Sequence, residues 1–138
     1  MRVIKILLVE DDHLDIMDLK RTLDKMSLQY TLEVAKNGEE AIGLLSHKTE
    51  SAEQLPDVVL IDINMPKMNG LEFLSVVRNS ESWKHLKCFI ITTSEEKVDK
   101  NAAKELGVSG YIIKPLKLNN PSSIDSLNLF VDLVNMKN

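Results

Sequence analysis

Five short apolar runs punctuate the chain, and each stops abruptly at polar residues. Val3–Val9 ends against Glu10-Asp11-Asp12, Tyr30–Ala35 runs into Asn37-Gly38, and DVVLID ends on Asp62. CFIITT ends on Thr92-Thr93-Ser94, and Gly110–Ile113 meets Lys114-Pro115. VIKILLV, DVVLI and CFII are almost continuously hydrophobic and rich in β-branched residues. That is the pattern of strands covered on both faces. The intervening stretches read as helices. Leu14, Met17, Leu19, Leu23 and Met26 approximate a stripe, and Glu39–Ser46 carries Ala41, Ile42, Leu44 and Leu45. Leu71–Arg78 follows a Pro/Gly-containing loop, and Lys97–Leu106 is closed by Gly107, a helix C-terminal signal. Ile124, Leu127, Val131 and Val134 line a last helix that begins near Pro121. His47–Gln54 reads as a polar connection. Buried strands alternating with amphipathic helices, five times over, give a parallel sheet with helices on both sides and right-handed crossovers.

A chain of 138 residues fits one domain and buries a core without disulfide or metal staples. Hydrophobic residues at 43% and charged residues at 28% exclude a disordered chain. Net charge is −4 with no basic stripe, which argues against nucleic acid as a partner. Cys88 is the only cysteine, so there is no internal disulfide and no Cys/His metal spacing. The N-terminal apolar run is short and carries Lys5, so it reads as neither a signal peptide nor a membrane span. A cytoplasmic protein is the expectation.

In an open parallel sheet, ligands bind beyond the carboxyl ends of the strands. Those ends here collect Glu10, Asp11, Asp12, Asp62, Thr92, Thr93 and Lys114. Two carboxylates about 4 Å apart repel by roughly 4 kcal/mol at an effective dielectric near 20. Such a cluster therefore calls for positive charge. Lys114 offers one unit. A hard divalent cation offers two and prefers oxygen ligands, so Glu10, Asp11 and Asp62 form a candidate magnesium site. The chain contains neither GxxxxGK[ST] nor GxGxxG, which argues against a nucleotide ligand. Thr93 and Lys114 suit phosphoryl oxygens, and Asp62 suits a nucleophile that forms an acyl phosphate.

With these residues in place, the chain resembles the receiver domain of two-component response regulators, the CheY-like family. The stretches ILLVEDD, PDVVLIDINMPKMNG, FIITTSEE and GYIIKP occur in the family's order and spacing over nearly the whole chain. The resemblance implies a flavodoxin-like (βα)5 fold with sheet order 2-1-3-4-5, built as one receiver domain over residues 1–138 without an output domain. It implies that Asp62 accepts a phosphoryl group from a sensor histidine kinase or phosphotransfer protein. Asp11 then binds Mg2+ (or Mn2+) directly, Glu10 helps hold it, and Asn64 supplies a backbone carbonyl. Thr93 becomes the switch hydroxyl, Lys114 the lysine that pairs with phosphoryl oxygens, Tyr111 the switch aromatic and Pro115 the residue after the lysine. Thr92 competes with Thr93, since strand side chains alternate; Ser94 fits the small residue that follows the switch hydroxyl, which favours Thr93. Asp12 falls outside the acidic pair, as an exposed residue or helix N-cap. The output would run through the face of the fourth helix, fifth strand and fifth helix, to a protein target or a second copy of the chain. No membrane or nucleic-acid partner is expected. Such a protein catalyses only its own aspartyl phosphorylation and dephosphorylation and is not otherwise an enzyme.

Other classes compete. An adaptor would use the fold without phosphorylation. An aspartyl phosphatase commonly shows DxD, whereas Asp62-Ile63-Asn64 lacks the second acid. A flavin module shares the topology, but this chain has no phosphate-cradling loop. His13, His47 and His85 show no ligand spacing and read as surface residues, while Trp83, Met65 and Met68 read as packing residues.

Overall fold

A computed structural model of the chain describes residues 3–25, 29–63, 65, 67–93, 100–114 and 135. The strands are β1 (Ile4–Val9), β2 (Tyr30–Ala35), β3 (Val58–Asp62), β4 (Lys87–Thr92) and β5 (Gly110–Ile113). They form one sheet in the order β2-β1-β3-β4-β5, and every pairing is parallel. The described helices are α1 (His13–Lys25), α2 (Gly38–Glu50), α3 (Gly70–Arg78) and α4 (Lys100–Glu105). This is the doubly wound (βα)5 architecture, with sheet order 2-1-3-4-5, expected from the sequence. The expected helix at Ile124–Val134 lies outside the described residues, as do Asn64, Ser94 and Pro115.

The sheet divides the core in two, and strand parity decides which half each residue joins. Leu7, Val9, Val59, Ile61, Cys88 and Ile90 face a cluster with Ala41 and Leu45 of α2, Phe73, Leu74 and Val77 of α3, and Ala103 of α4. Ile4, Ile6, Leu8, Val58, Leu60, Phe89, Ile91 and Ile112 face the other way, against Leu19 and Leu23 of α1. β1, β3 and β4 are thus buried on both faces, whereas β2 alternates between exposed and covered residues, as an edge strand does.

Two sequence expectations change. The polar stretch from His47 does not start a connection: α2 continues to Glu50. Its last turn is held by tertiary partners that periodicity cannot show. Lys48 pairs with Glu33 of β2 at 2.6 Å. The Trp83 indole N–H donates to Thr49 Oγ1 at 2.9 Å, and that hydroxyl donates to the Leu45 carbonyl at 2.9 Å. The apolar stripe of α1 is also rotated. Ile16, Leu19 and Leu23, spaced i, i+3, i+7, face the sheet, while Leu14 and Met17 are exposed at 71% and 42%.

Local chemistry sets the helix starts. Asp12 caps α1, its Oδ1 accepting the Leu14 and Asp15 N–H groups at 2.9 and 3.1 Å. Asn37 caps α2, and Asn69 with Glu72 makes a reciprocal capping box on α3. Arg78, at the end of α3, donates to the carbonyls of Lys84, Leu86, Leu106 and Gly107. It thereby ties α3 to the segment before β4 and to the end of α4. Among the described residues, no helix is long and apolar enough to cross a membrane.

Candidate functional site

The parity that builds the α1-facing core also builds the site. Ile4, Ile6 and Leu8 are followed on the same face by Glu10; Val58 and Leu60 by Asp62; Phe89 and Ile91 by Thr93; Ile112 by Lys114. Each strand therefore stays apolar along the core on the α1 side, then presents one polar residue where that core ends. The register aligns these positions. Val9 pairs with Ile61, which places Glu10 beside Asp62, and Thr92 pairs with Ile113, which places Thr93 beside Lys114. Thr92 has the opposite parity, shared with Cys88 and Ile90. It is buried, and its hydroxyl donates to the Thr93 carbonyl at 3.2 Å.

Glu10 is 1% exposed and Asp62 4%, while Asp11 is exposed. Carboxylate oxygens of Glu10, Asp11 and Asp62 all lie within 4.8 Å of one another. Buried carboxylates need partners, and a lysine supplies them. Lys114 Nζ lies 2.7 Å from Glu10 Oε1, 2.8 Å from Asp15 Oδ2 and 3.6 Å from Asp62 Oδ2. The Asp12 N–H also donates to Glu10 Oε2, at 3.3 Å.

This electrostatic arrangement strongly biases protonation. Burial pushes the Glu10 carboxyl up to about 8, helped by its hydrogen bond with Asp62 and opposed by Lys114. Burial alone would pull the Lys114 ammonium down. Its hydrogen bonds to Asp15 and Glu10, with the charges of Glu10 and Asp62, outweigh that and hold it above the ordinary lysine range. The donor set fits a divalent cation: hard oxygens from three carboxylates, two of them buried, with one ammonium neutralising only part of their charge.

The loop after Asp62 is pinned from below. The Gly70 N–H donates to the Ile63 carbonyl at 3.2 Å. A Cβ on Gly70 would lie 2.9 Å from the Asp62 carbonyl oxygen and 3.1 Å from both Ile61 Cγ2 and Ile63 Cα. Lys67 in the same loop takes φ 65, the left-handed region. Met65 is buried, and Met68 packs over Gly38, where a Cβ would fall 2.8 Å from Met68 Cγ.

Glu10, Asp11, Asp62 and Lys114 thus come together as the sequence suggested, and Thr93 sits on their face. Tyr111 stands apart on β5, half-buried. Its hydroxyl donates to the Lys100 carbonyl at 3.2 Å, and the Lys100 ammonium lies 5.7 Å from the ring centroid. Asp15 is the residue that strand-end reasoning missed. Its one sequence signal is position: one helical turn past Asp11 and Asp12, in the first turn of α1.

Comparison with known proteins points one way. The family model for the response regulator receiver domain matches residues 6–122. Chemotaxis protein CheY1 of Helicobacter pylori is 33% identical over 111 residues, which cover 80% of this chain and 85% of CheY1. A two-component response regulator from Legionella pneumophila superposes with a TM-score of 0.79 at 34% identity, covering 96% of this chain and 99% of that one. The Mn(2+)-bound form of response regulator Rcp1, a protein known from Synechocystis, superposes with a TM-score of 0.71 at 27% identity, covering 96% and 90%.

Proposed function

Since this chain belongs to the response regulator receiver family, we propose that it is a phosphorylation switch that takes a phosphoryl group onto Asp62 from a histidine kinase or phosphotransfer protein. Receiver proteins of this kind are not conventional enzymes. The observation that carries the reading is the juxtaposition of a buried Asp62, the neighbouring acids Glu10 and Asp11, and the Lys114 ammonium 3.6 Å from Asp62 Oδ2.

Glu10, Asp11 and Asp62 would hold Mg2+ or Mn2+, with Asn64 contributing its carbonyl. A bound divalent cation neutralises the acids and the incoming phosphoryl oxygens. Asp62 attacks phosphorus through a carboxylate oxygen. The bond to the donor histidine nitrogen breaks, and that nitrogen leaves with the electron pair. Lys114 neutralises charge on the phosphoryl oxygens, and Thr93, on the same face, donates its hydroxyl to one of them. Water later attacks phosphorus, the bond from phosphorus to the Asp62 oxygen breaks, inorganic phosphate leaves and Asp62 returns to the carboxylate.

The pull on Thr93 is the event that changes the surface. β4 ends one residue before it, and Tyr111 on the adjacent strand packs against α4, so a shift there repacks the face of α4 and β5, to which the sequence expectation adds the last helix. That face, with Tyr111 and Pro115 as switch residues, would bind a downstream protein or a second copy of the chain. The chain would act in the cytoplasm as a receiver unit.

The test is intact mass after incubation with Mg2+ and acetyl phosphate, repeated with phosphoramidate. One added phosphoryl group, lost with EDTA and lost in Asp62→Asn, supports the switch. No added mass from either donor, together with no Mg2+ binding by titration calorimetry, refutes it and leaves an adaptor.

A further inference from the structure

Lys114 is shared among three acids, but only two of them belong to the proposed cation site. An ammonium has three N–H donors. Glu10 at 2.7 Å and Asp15 at 2.8 Å take two, and Asp62 stands at 3.6 Å. Glu10 and Asp62 have oxygens grouped with Asp11, whereas Asp15 is absent from that group. When Glu10 and Asp62 turn to a divalent cation, Lys114 loses two of its three partners and faces like charge in their place. Among the described residues that pair with it, Asp15 remains to hold it.

Resting on the phosphoryl-transfer reading above, we infer that Asp15 is a positioning residue: it retains the Lys114 ammonium at the site once the cation is bound, with a donor left for the phosphoryl group. Asp15 is built for this. Its backbone is fixed by the Asp12 cap at 3.1 Å, and it lies in the first turn of α1, where negative charge is favoured. The pair bridges 99 residues of sequence and joins α1 to the end of β5. Lys114 is only 14% exposed, so water does not substitute freely for the lost partner. The cavity beneath, of ≈ 30 Å³, is floored by Leu8, Leu19, Ile91 and Ile112. Its other acid, Asp18, is paired with Arg21 at 3.3 Å.

The experiment compares wild type, Asp15→Asn, Asp15→Glu and Lys114→Ala as full chains. First, the lysine 13Cε resonances are recorded at saturating Mg2+ without phosphodonor, and the Lys114 signal is identified by its loss in Lys114→Ala. The inference expects a wild-type signal distinct from those of surface lysines. It expects that signal to move onto theirs in Asp15→Asn and to return in Asp15→Glu. Second, labelling by acetyl phosphate is timed. Losing one charge-assisted hydrogen bond to the lysine predicts a fall of about tenfold in Asp15→Asn, and no further fall when that change is added to Lys114→Ala.

A Lys114 signal unchanged in Asp15→Asn at saturating Mg2+ overturns the inference, as does an equal fold-loss of labelling in the Lys114→Ala background. Wild type that takes no phosphoryl group from a small donor, yet shows the expected resonance shift, supports the positioning role apart from the phosphoacceptor reading.

Discussion

Gly70→Ala probes how α3 supports Asp62. The new methyl would sit 2.9 Å from the Asp62 carbonyl oxygen, with Ile61 Cγ2 and Ile63 Cα at 3.1 Å. Two of the three neighbours are backbone, so the strand end or the helix start must shift by several tenths of an ångström. Overpacking of this kind costs about 1–3 kcal/mol. Alanine returns roughly 0.5–1 kcal/mol of helix preference over glycine, less at a first helical position. The net expectation is a loss of about 1–2 kcal/mol, read as a lower urea midpoint at unchanged slope and a Tm lower by roughly 3–8 °C. The shift falls on the residue proposed to attack phosphorus. A 1 Å misplacement costs up to about a hundredfold in rate, so a several-fold slower labelling by acetyl phosphate should accompany it. Gly43→Ala is the control. Gly43 lies inside α2 with nothing within 4 Å of its Cβ position, so alanine there should stabilise by about 0.5–1 kcal/mol and leave labelling alone. A Gly70→Ala protein with the wild-type midpoint and labelling rate would refute the argument that this glycine is required by close approach.

Two further outcomes follow from the site and its scaffold. Glu10 is held up to about 8 by burial, so without a divalent cation the fold prefers its protonated form. The native state then binds more protons than the unfolded chain between about pH 4.5 and 8, so stability should fall as pH rises through that window. Mg2+ affinity should rise over the same range with proton release, measured by calorimetry in two buffers of different ionisation enthalpy; Glu10→Gln should flatten the pH dependence of stability. Arg78→Ala strips the donor from four carbonyls at the junction of α3, the segment before β4 and α4. It should cost about 2–4 kcal/mol in urea unfolding, with Arg78→Lys recovering only part because one ammonium cannot span the fork.

The strand ends were readable because a parallel sheet brings them to one edge whatever the details of packing. Glu10, Asp62 and Lys114 needed only the positions where three apolar runs stop. Between Thr92 and Thr93 the small Ser94 already favours Thr93, and the phase of β4, with Ile91 on the α1 side of the sheet and Ile90 on the other, agrees with that choice. Asp15 was out of reach because its role depends on how α1 is rotated over the sheet. The same rotation exposes Leu14 and Met17, which as bare sequence look as apolar as Leu19 and Leu23. The last turn of α2 was hidden for a related reason. Its polar residues look like a connection until Glu33 and Trp83, distant in sequence, are seen to hold Lys48 and Thr49.

Trp83 has a practical consequence. It is the chain's single tryptophan, 9% exposed, and it packs into the cluster on the side of the sheet away from α1. Its indole is bonded to the end of α2, whereas the acids and Lys114 extend the opposite face. Intrinsic emission excited at the red edge of the indole band is therefore a clean optical gauge of unfolding. It should stay nearly silent during cation titration, so the two processes are separable in one cuvette.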